Sequence, residues 1–291
     1  MMERHVRSLV AAVLLAVSTC STSAAGAADI CPHSPFQRST KPLVIAHASS
    51  SALGPPNTIE LMRAGIAAGA DIIDADLRVT SDGVLVAAHD DALAATTNAT
   101  GSIRATTLAK IRTLDDAWKW AGPRKDYPLR GKGVRMPTVA EILSAFPHQR
   151  ISLEFKAGGA EQSLCDLLRR TKRTKDIYVS SDGAWVENFG RDCPEVTTTL
   201  TDAEVAPLIA ARNDPTSTWC APAPIGQPSF ARNGRRMTKE SVDWNHRHGM
   251  AVYTWTVDDP TQLALAKTIG VDAVYTGRPD LARAIFDGKA S

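Results

Sequence analysis

Several familiar signatures are missing from this 291-residue sequence, and each absence excludes something. There is no Cys-x-x-Cys pair, which rules out a thiolate zinc site of the usual spacing. There is no Gly-x-Gly-x-x-Gly and no P-loop, so nothing favours a doubly wound nucleotide-binding sheet. Apart from one run near the N-terminus, no apolar stretch approaches the roughly 20 residues a membrane span needs. Lys and Arg number 33 against 31 Asp and Glu. That near balance excludes the strongly basic surface of a nucleic-acid binder.

The one apolar run, Leu9 to Val17, follows Arg4, His5 and Arg7 and leads into small residues from Ser21 to Ala28. Too short to span a bilayer, it has the layout of a secretory signal peptide over residues 1–28, cleaved near Ala25-Gly26-Ala27. Cys20 offers a lipid-anchored product as the alternative, although Thr19 just before it argues against that. Losing Glu3, Arg4 and Arg7 leaves 31 basic against 30 acidic residues. The remaining 29–291 is expected to be one exported domain, secreted or periplasmic. It keeps Cys31, Cys165, Cys193 and Cys220, enough for two disulfides in any of three pairings.

Ala70 to His89 holds the densest chemistry. In Asp71 to Leu77 the apolar residues Ile73, Ala75 and Leu77 alternate with Asp74 and Asp76, so a strand here sends both carboxylates to one face. Asp82-Gly83 between two apolar runs predicts a hairpin. A two-residue turn would pair Ser81 with Val84 and set His89 opposite Asp76. Ile151 to Lys156 repeats the alternation: Ile151, Leu153 and Phe155 face one way, Ser152, Glu154 and Lys156 the other. A strand that carries Glu154 and Lys156 inward must pair them or give them a ligand.

Strands are predicted at Leu43–His47, Asp71–Leu77, Ile151–Lys156, Ile177–Ser180, Val196–Leu200, Thr218–Ala221, Met250–Thr256 and Ala273–Thr276, with helices between them. Asn57 is the expected cap of the first helix, with Glu60 three residues on. Eight alternations in this length predict an α/β (β/α)8 TIM barrel. Residues from about 92 to 135 form an insertion after the second strand, expected to act as a flap. At the C-terminal strand ends, His47, Asp74, Asp76, Glu154 and Lys156 then converge, with His89 returning by hairpin. Three oxygen-donor carboxylates suit a hard divalent cation, Ca2+ or Mg2+. Two imidazoles suit general acid–base work, and the ammonium suits a phosphate. The chemistry this predicts is metal-assisted cleavage of a small-molecule phosphodiester.

The residues resemble a family at this point. IAH ending at His47, PNT at Pro56–Thr58, GADIIDADLRVTSDGVLVAAHD, TTNATG, LEFK, VYTWTVDDP and GVDAVYTGRPD are similar, in order and spacing, to the glycerophosphodiester phosphodiesterases, a phospholipase C-like barrel family. The resemblance covers about Leu43 to Phe286. It implies hydrolysis of glycerophosphodiesters to an alcohol and glycerol 3-phosphate. It also implies Asp74, Asp76 and Glu154 as metal ligands, His47 and His89 as the acid–base pair, Lys156 as a phosphate contact and Trp255 as a wall of the glycerol pocket. The sequence departs from the family pattern at Ala48 (usually Arg), Pro56 (Glu), Asp74 (Glu), Ala95 (Arg) and Gly277 (Asp). Two alternatives stay open. One is a lysophospholipid or other headgroup diester as substrate, with Trp118 and Trp120 receiving acyl chains. The other is a phosphodiester-binding protein with weakened catalysis.

Overall fold

The computed structural model describes residues 30–289 apart from Ser39, Asp182 and Asn233. The expected leader, residues 1–28 with Cys20, lies outside the described residues. Eleven strands are formed among the described residues: β1 (Leu43–Ala46), β2 (Ile72–Val79), β3 (Leu85–Ala87), β4 (Arg150–Phe155), β5 (Ile177–Ser181), β6 (Thr197–Thr198), β7 (Ile225–Gly226), β8 (Ala231–Arg232), β9 (Arg235–Arg236), β10 (Ala251–Thr254) and β11 (Ala273–Thr276). The principal helices are α1 (Ile59–Ala67), α2 (Leu108–Ile111), α3 (Val139–Ala145), α4 (Glu161–Thr171), α5 (Trp185–Asp192), α6 (Asp202–Asn213), α7 (Lys239–Arg247), α8 (Pro260–Ile269) and α9 (Pro279–Phe286).

The expected (β/α)8 barrel is formed. Eight strands run parallel in the order β6-β5-β4-β2-β1-β11-β10-β7, and a parallel bridge between Thr199 and Ile225 joins the two ends of the path. Alternation sorts the side chains of each strand. Ile73, Ala75 and Leu77 of β2 pack outward with Ile151, Leu153 and Phe155 of β4, against Leu164, Leu168 and Phe189 from α4 and α5. Ile45, Ile72, Tyr178, Tyr253 and Tyr275 fill the interior, so the barrel is a packed core and not a pore.

Three expectations are corrected. The sixth barrel strand is β7, not Thr218–Ala221. Cys220 is tied to Cys31 by a disulfide, and Ala221 donates to His248 O instead of entering a ladder. Thr58, not Asn57, caps α1, its side chain accepting from Leu61 N. Asn57 adopts φ +58°, which frees its amide for another task. The hairpin is one residue longer at the turn than expected. Thr80 N donates to Val84 O across Ser81-Asp82-Gly83, the ladder pairs Leu77 with Ala87, and Gly83 takes φ +80°, as a three-residue loop requires. Asp76 therefore faces Ala88, whose N–H it receives, and not His89.

The second disulfide is Cys165–Cys193. No helix among the described residues is long and apolar enough to cross a membrane.

Candidate active site

The C-terminal mouth of the barrel is built around β2. Asp74 and Asp76 point inward and are 2% and 1% exposed. The parallel register sets Asp74 beside Ser152 and Asp76 beside Glu154, so three carboxylates arise on two adjacent strands. Asp76 is a hub. Its Oδ2 accepts from Ser49 Oγ at 2.7 Å and from Asn57 Nδ2 at 2.7 Å, while its N–H donates to Asn57 Oδ1 at 2.9 Å. The positive φ of Asn57 is thus used to present both ends of its amide to one aspartate.

Asp74 is only half satisfied. Oδ2 accepts from Ala48 N at 3.1 Å, and Oδ1 is buried with no hydrogen-bond partner. Burial, then the neighbouring charges of Asp76 and Glu154, push its pKa well above the ordinary carboxylate value, against smaller opposing pulls from the Ala48 N–H and Ser152. A buried oxygen without a donor, amid like charges, is what a hard divalent cation relieves. The donor chemistry of Asp74, Asp76 and Glu154 fits such an ion.

Lys156 follows β4 and lies against its own strand's acid. Its Nζ bonds Glu154 Oε1 and lies 3.7 Å from Asp76 Oδ1, so the internal ion pair is formed here. Among the described residues, the three ligand-type side chains whose donor atoms all lie within 4.8 Å of one another are Cys165, Cys193 and Glu195, and those cysteines form a disulfide. The three barrel carboxylates do not meet that closely as a group.

His47 follows β1, with its ring edge-on to Tyr275 at 6.1 Å. Burial lowers its pKa, opposed by the charges of Asp76 and Asp258 and reinforced by Lys156 and His89. His89 follows β3, its side chain 50% exposed, with Nδ1 3.1 Å from Asp90 Oδ1. It stays at the mouth despite the changed register because β3 ends at Ala87 and the chain leaves the ladder. Trp255, 47% exposed, follows β10 and is anchored by Nε1 donating to Gln227 O at 2.8 Å.

A solvent-open pocket adjoins His89, lined also by Ser49, Asn57, Asp90, Thr96 and Asp116. One wall comes from the 92–135 segment. Asp116 is a residue that sequence reasoning missed. It is 2% exposed and accepts from Thr96 Oγ1 at 2.5 Å. Burial pushes its pKa up to about 7. The neighbouring tryptophans have structural partners: Arg130 stacks on Trp118 at 4.7 Å, and Trp120 Nε1 donates to Ser51 O at 2.9 Å.

(β/α)8 enzymes work at the carboxyl ends of their strands, and a mouth that carries three carboxylates, with two imidazoles at its edge, gives this chain the layout of a barrel hydrolase. Its family follows from comparison with known proteins. The model of the glycerophosphoryl diester phosphodiesterase family matches residues 47–281, and the chain belongs to that family. It is 27% identical over 265 residues to the glycerophosphodiester phosphodiesterase of Bacillus subtilis, an alignment that covers 84% of this chain and 87% of the relative. Among solved structures, the glycerophosphodiester phosphodiesterase of Agrobacterium tumefaciens superimposes with TM-score 0.67 at 23% identity, covering 84% of this chain and 99% of that one. An Oleispira antarctica phosphodiesterase solved in complex with the product sn-glycerol-3-phosphate gives TM-score 0.67 at 23% identity, covering 85% and 97%.

Proposed function

We propose that this chain is an exported, divalent-cation-dependent phosphodiesterase that hydrolyses a glycerophosphodiester to an alcohol and glycerol 3-phosphate. The observation that carries this reading is the in-register pairing of Asp76 with Glu154 on adjacent strands, beside Asp74 and within one barrel mouth with His47 and His89. Two disulfides support export to an oxidising compartment.

Asp74, Asp76 and Glu154 would hold the cation. When bound, a cation of calcium or magnesium type polarises the phosphoryl group and neutralises its developing charge. Lys156 adds a positive charge beside the phosphate. His47, kept neutral by burial, takes the proton from the attacking hydroxyl or water as its oxygen bonds to phosphorus. His89, more exposed and beside Asp90, gives a proton to the alcohol oxygen as its bond to phosphorus breaks. Trp255 walls the glycerol side. Because Trp118 and Trp120 are already engaged by Arg130 and Ser51, nothing favours an acyl-chain slot.

The test is release of glycerol 3-phosphate from glycerophosphoethanolamine and glycerophosphocholine, with magnesium or calcium added and after exhaustive chelation. Metal-dependent release is expected. His47→Ala and His89→Ala are each expected to lower kcat by about 10²-fold or more, the usual weight of a general acid or base, with unchanged circular dichroism. No release from folded protein with either cation would remove the reading.

A further inference from the structure

The pocket beside His89 has an unusual balance of hydrogen-bonding groups. Two of its side-chain donors are already turned to Asp76, since Ser49 Oγ gives it its hydrogen and Asn57 Nδ2 gives it one of two. Asp116 is nearly fully buried, and one of its oxygens is filled by Thr96 Oγ1. The other accepts no hydrogen bond from the described residues, and Asp116 lines the pocket. A carboxylate oxygen in that position can take its donor from water or from a bound ligand, and a ligand that brings an N–H replaces that water.

Charge narrows the ligand. No Lys or Arg lines the pocket, while Asp90 and Asp116 both do. Asp115 and Glu60 add negative potential at Asp116. A neutral hydroxyl would satisfy the hydrogen bond alone, whereas an ammonium also favours the ionised form of Asp116 that burial holds back. The type of ammonium is narrowed by what else is missing. Quaternary ammonium groups carry no N–H and are held by aromatic faces, and no Phe, Tyr or Trp lines this pocket. A primary ammonium, with three N–H donors, matches it. The pocket borders His89, the group assigned above to protonate the departing alcohol, so the ligand portion that enters it is the leaving group.

We propose that Asp116 is a specificity-determining residue of a leaving-group pocket, and that the alcohol received there carries a primary ammonium, as in an ethanolamine diester. The proposal rests on the phosphodiesterase reading and refines its substrate class. Asp116 receives the ammonium through its open oxygen while Thr96 holds the other, which fixes the carboxylate plane toward the pocket.

The deciding measurement is kcat/KM for glycerophosphoethanolamine, glycerophosphocholine and the neutral glycerophosphoglycerol, on the magnesium- or calcium-supplemented protein. The wild type is expected to prefer the ethanolamine diester over the choline diester by about tenfold or more, the scale of one charge-assisted hydrogen bond. In Asp116→Asn, which keeps an acceptor for Thr96, that ratio is expected to fall towards one through the ethanolamine term. Asp116→Ala should reduce it as far. A wild-type ratio near one, or a ratio unchanged in both variants, overturns the proposal. Hydrolysis of none of the three counts against the phosphodiesterase reading. In that event calorimetric titration of the ethanolamine and choline diesters into the His47→Ala protein decides the proposal without turnover. Tighter binding of the ethanolamine diester, lost on adding Asp116→Asn, supports it, and equal binding refutes it.

Discussion

Gly277 sits where a side chain would collide. A Cβ there would meet Ser50 Oγ at 2.2 Å and Ser50 Cβ at 3.1 Å, with Asp258 Oδ2 at 3.6 Å. The aspartate that the family resemblance leads one to expect at this position would therefore force Ser50 to move and would be repelled by Asp258. Asp258 already accepts from Gly277 N at 2.7 Å and Thr276 Oγ1 at 2.8 Å. Gly277→Asp is expected to destabilise by about 1–3 kcal/mol, typical of overpacking, and Ser50→Gly should restore part of it in the double variant. Denaturant midpoints of the single and double variants measure both. Asp116 gives a prediction in pH. Its folded pKa of about 7 stands above the ordinary 3.8. Between those values the folded chain holds a proton that the unfolded chain has released, so stability falls as pH rises through this window and levels off above it. Asp116→Asn is expected to match the wild type near pH 4 and to exceed it above pH 7, by at most about 4 kcal/mol for such a shift. A Tm difference that does not grow with pH would contradict this. Asp116 is not legible in the sequence because an acid in an irregular segment has no periodicity to give it a face. Asp74, Asp76 and Glu154 are, because strand alternation is local and needs no knowledge of the fold.

The β2–β3 hairpin shows how an element can be readable while its register is not. Asp82-Gly83 marks the turn, but the loop length is decided by Thr80. Its hydroxyl donates to Asp82 Oδ1 at 2.6 Å and accepts from Val84 N at 2.9 Å, closing a three-residue loop in place of a two-residue one. Such a choice between near-equal turns depends on side-chain hydrogen bonds that pattern alone does not weigh. Gly83 holds φ +80°, and a Cβ added there would meet nothing within 4 Å, so only conformation opposes substitution. Gly83→Ala is expected to cost about 1 kcal/mol, the usual penalty for placing Ala in the left-handed region. Thermal unfolding checks it, and no loss would mean the turn can relax. The sixth strand escapes sequence reading for a related reason. Ile225–Gly226 lies among Pro222, Pro224 and Pro228, which mask so short a strand. The first helix, by contrast, is legible although its cap is not, since Thr58 and not Asn57 caps it. Thr138 and Glu141 form a complete capping box on α3, and Thr138→Ala should cost about 1 kcal/mol by the same measurement.

At the scale of the molecule, one disulfide spans 189 residues of sequence and the other 28. Cys31–Cys220 fastens the N-terminal segment to the loop before β7, and Cys165–Cys193 staples α4 to the end of α5. On the chain-entropy account the shorter loop contributes about 4 kcal/mol. The Cys165→Ala/Cys193→Ala protein is expected to lose several degrees of Tm while keeping its hydrolytic specificity, since neither cysteine touches the mouth. Unchanged Tm would show that the unfolded chain gains nothing from release. Seven of the eight barrel strands are legible because each announces itself within a few residues, whereas the sixth and the closure are not, because closure is decided by the two shortest strands of the barrel. β6 and β7 have two residues each, and they meet through the Thr199–Ile225 bridge and the bond from Leu200 N to Ile225 O at 2.8 Å. α6 follows β6, with Val205 and Ile209 left 40% and 53% exposed. A hoop riveted at one point has a seam, and thermal motion finds it. The amide of Leu200 should trade hydrogen for deuterium well before those of β2 and β4, so the barrel breathes on the side away from its carboxylates and leaves the mouth rigid.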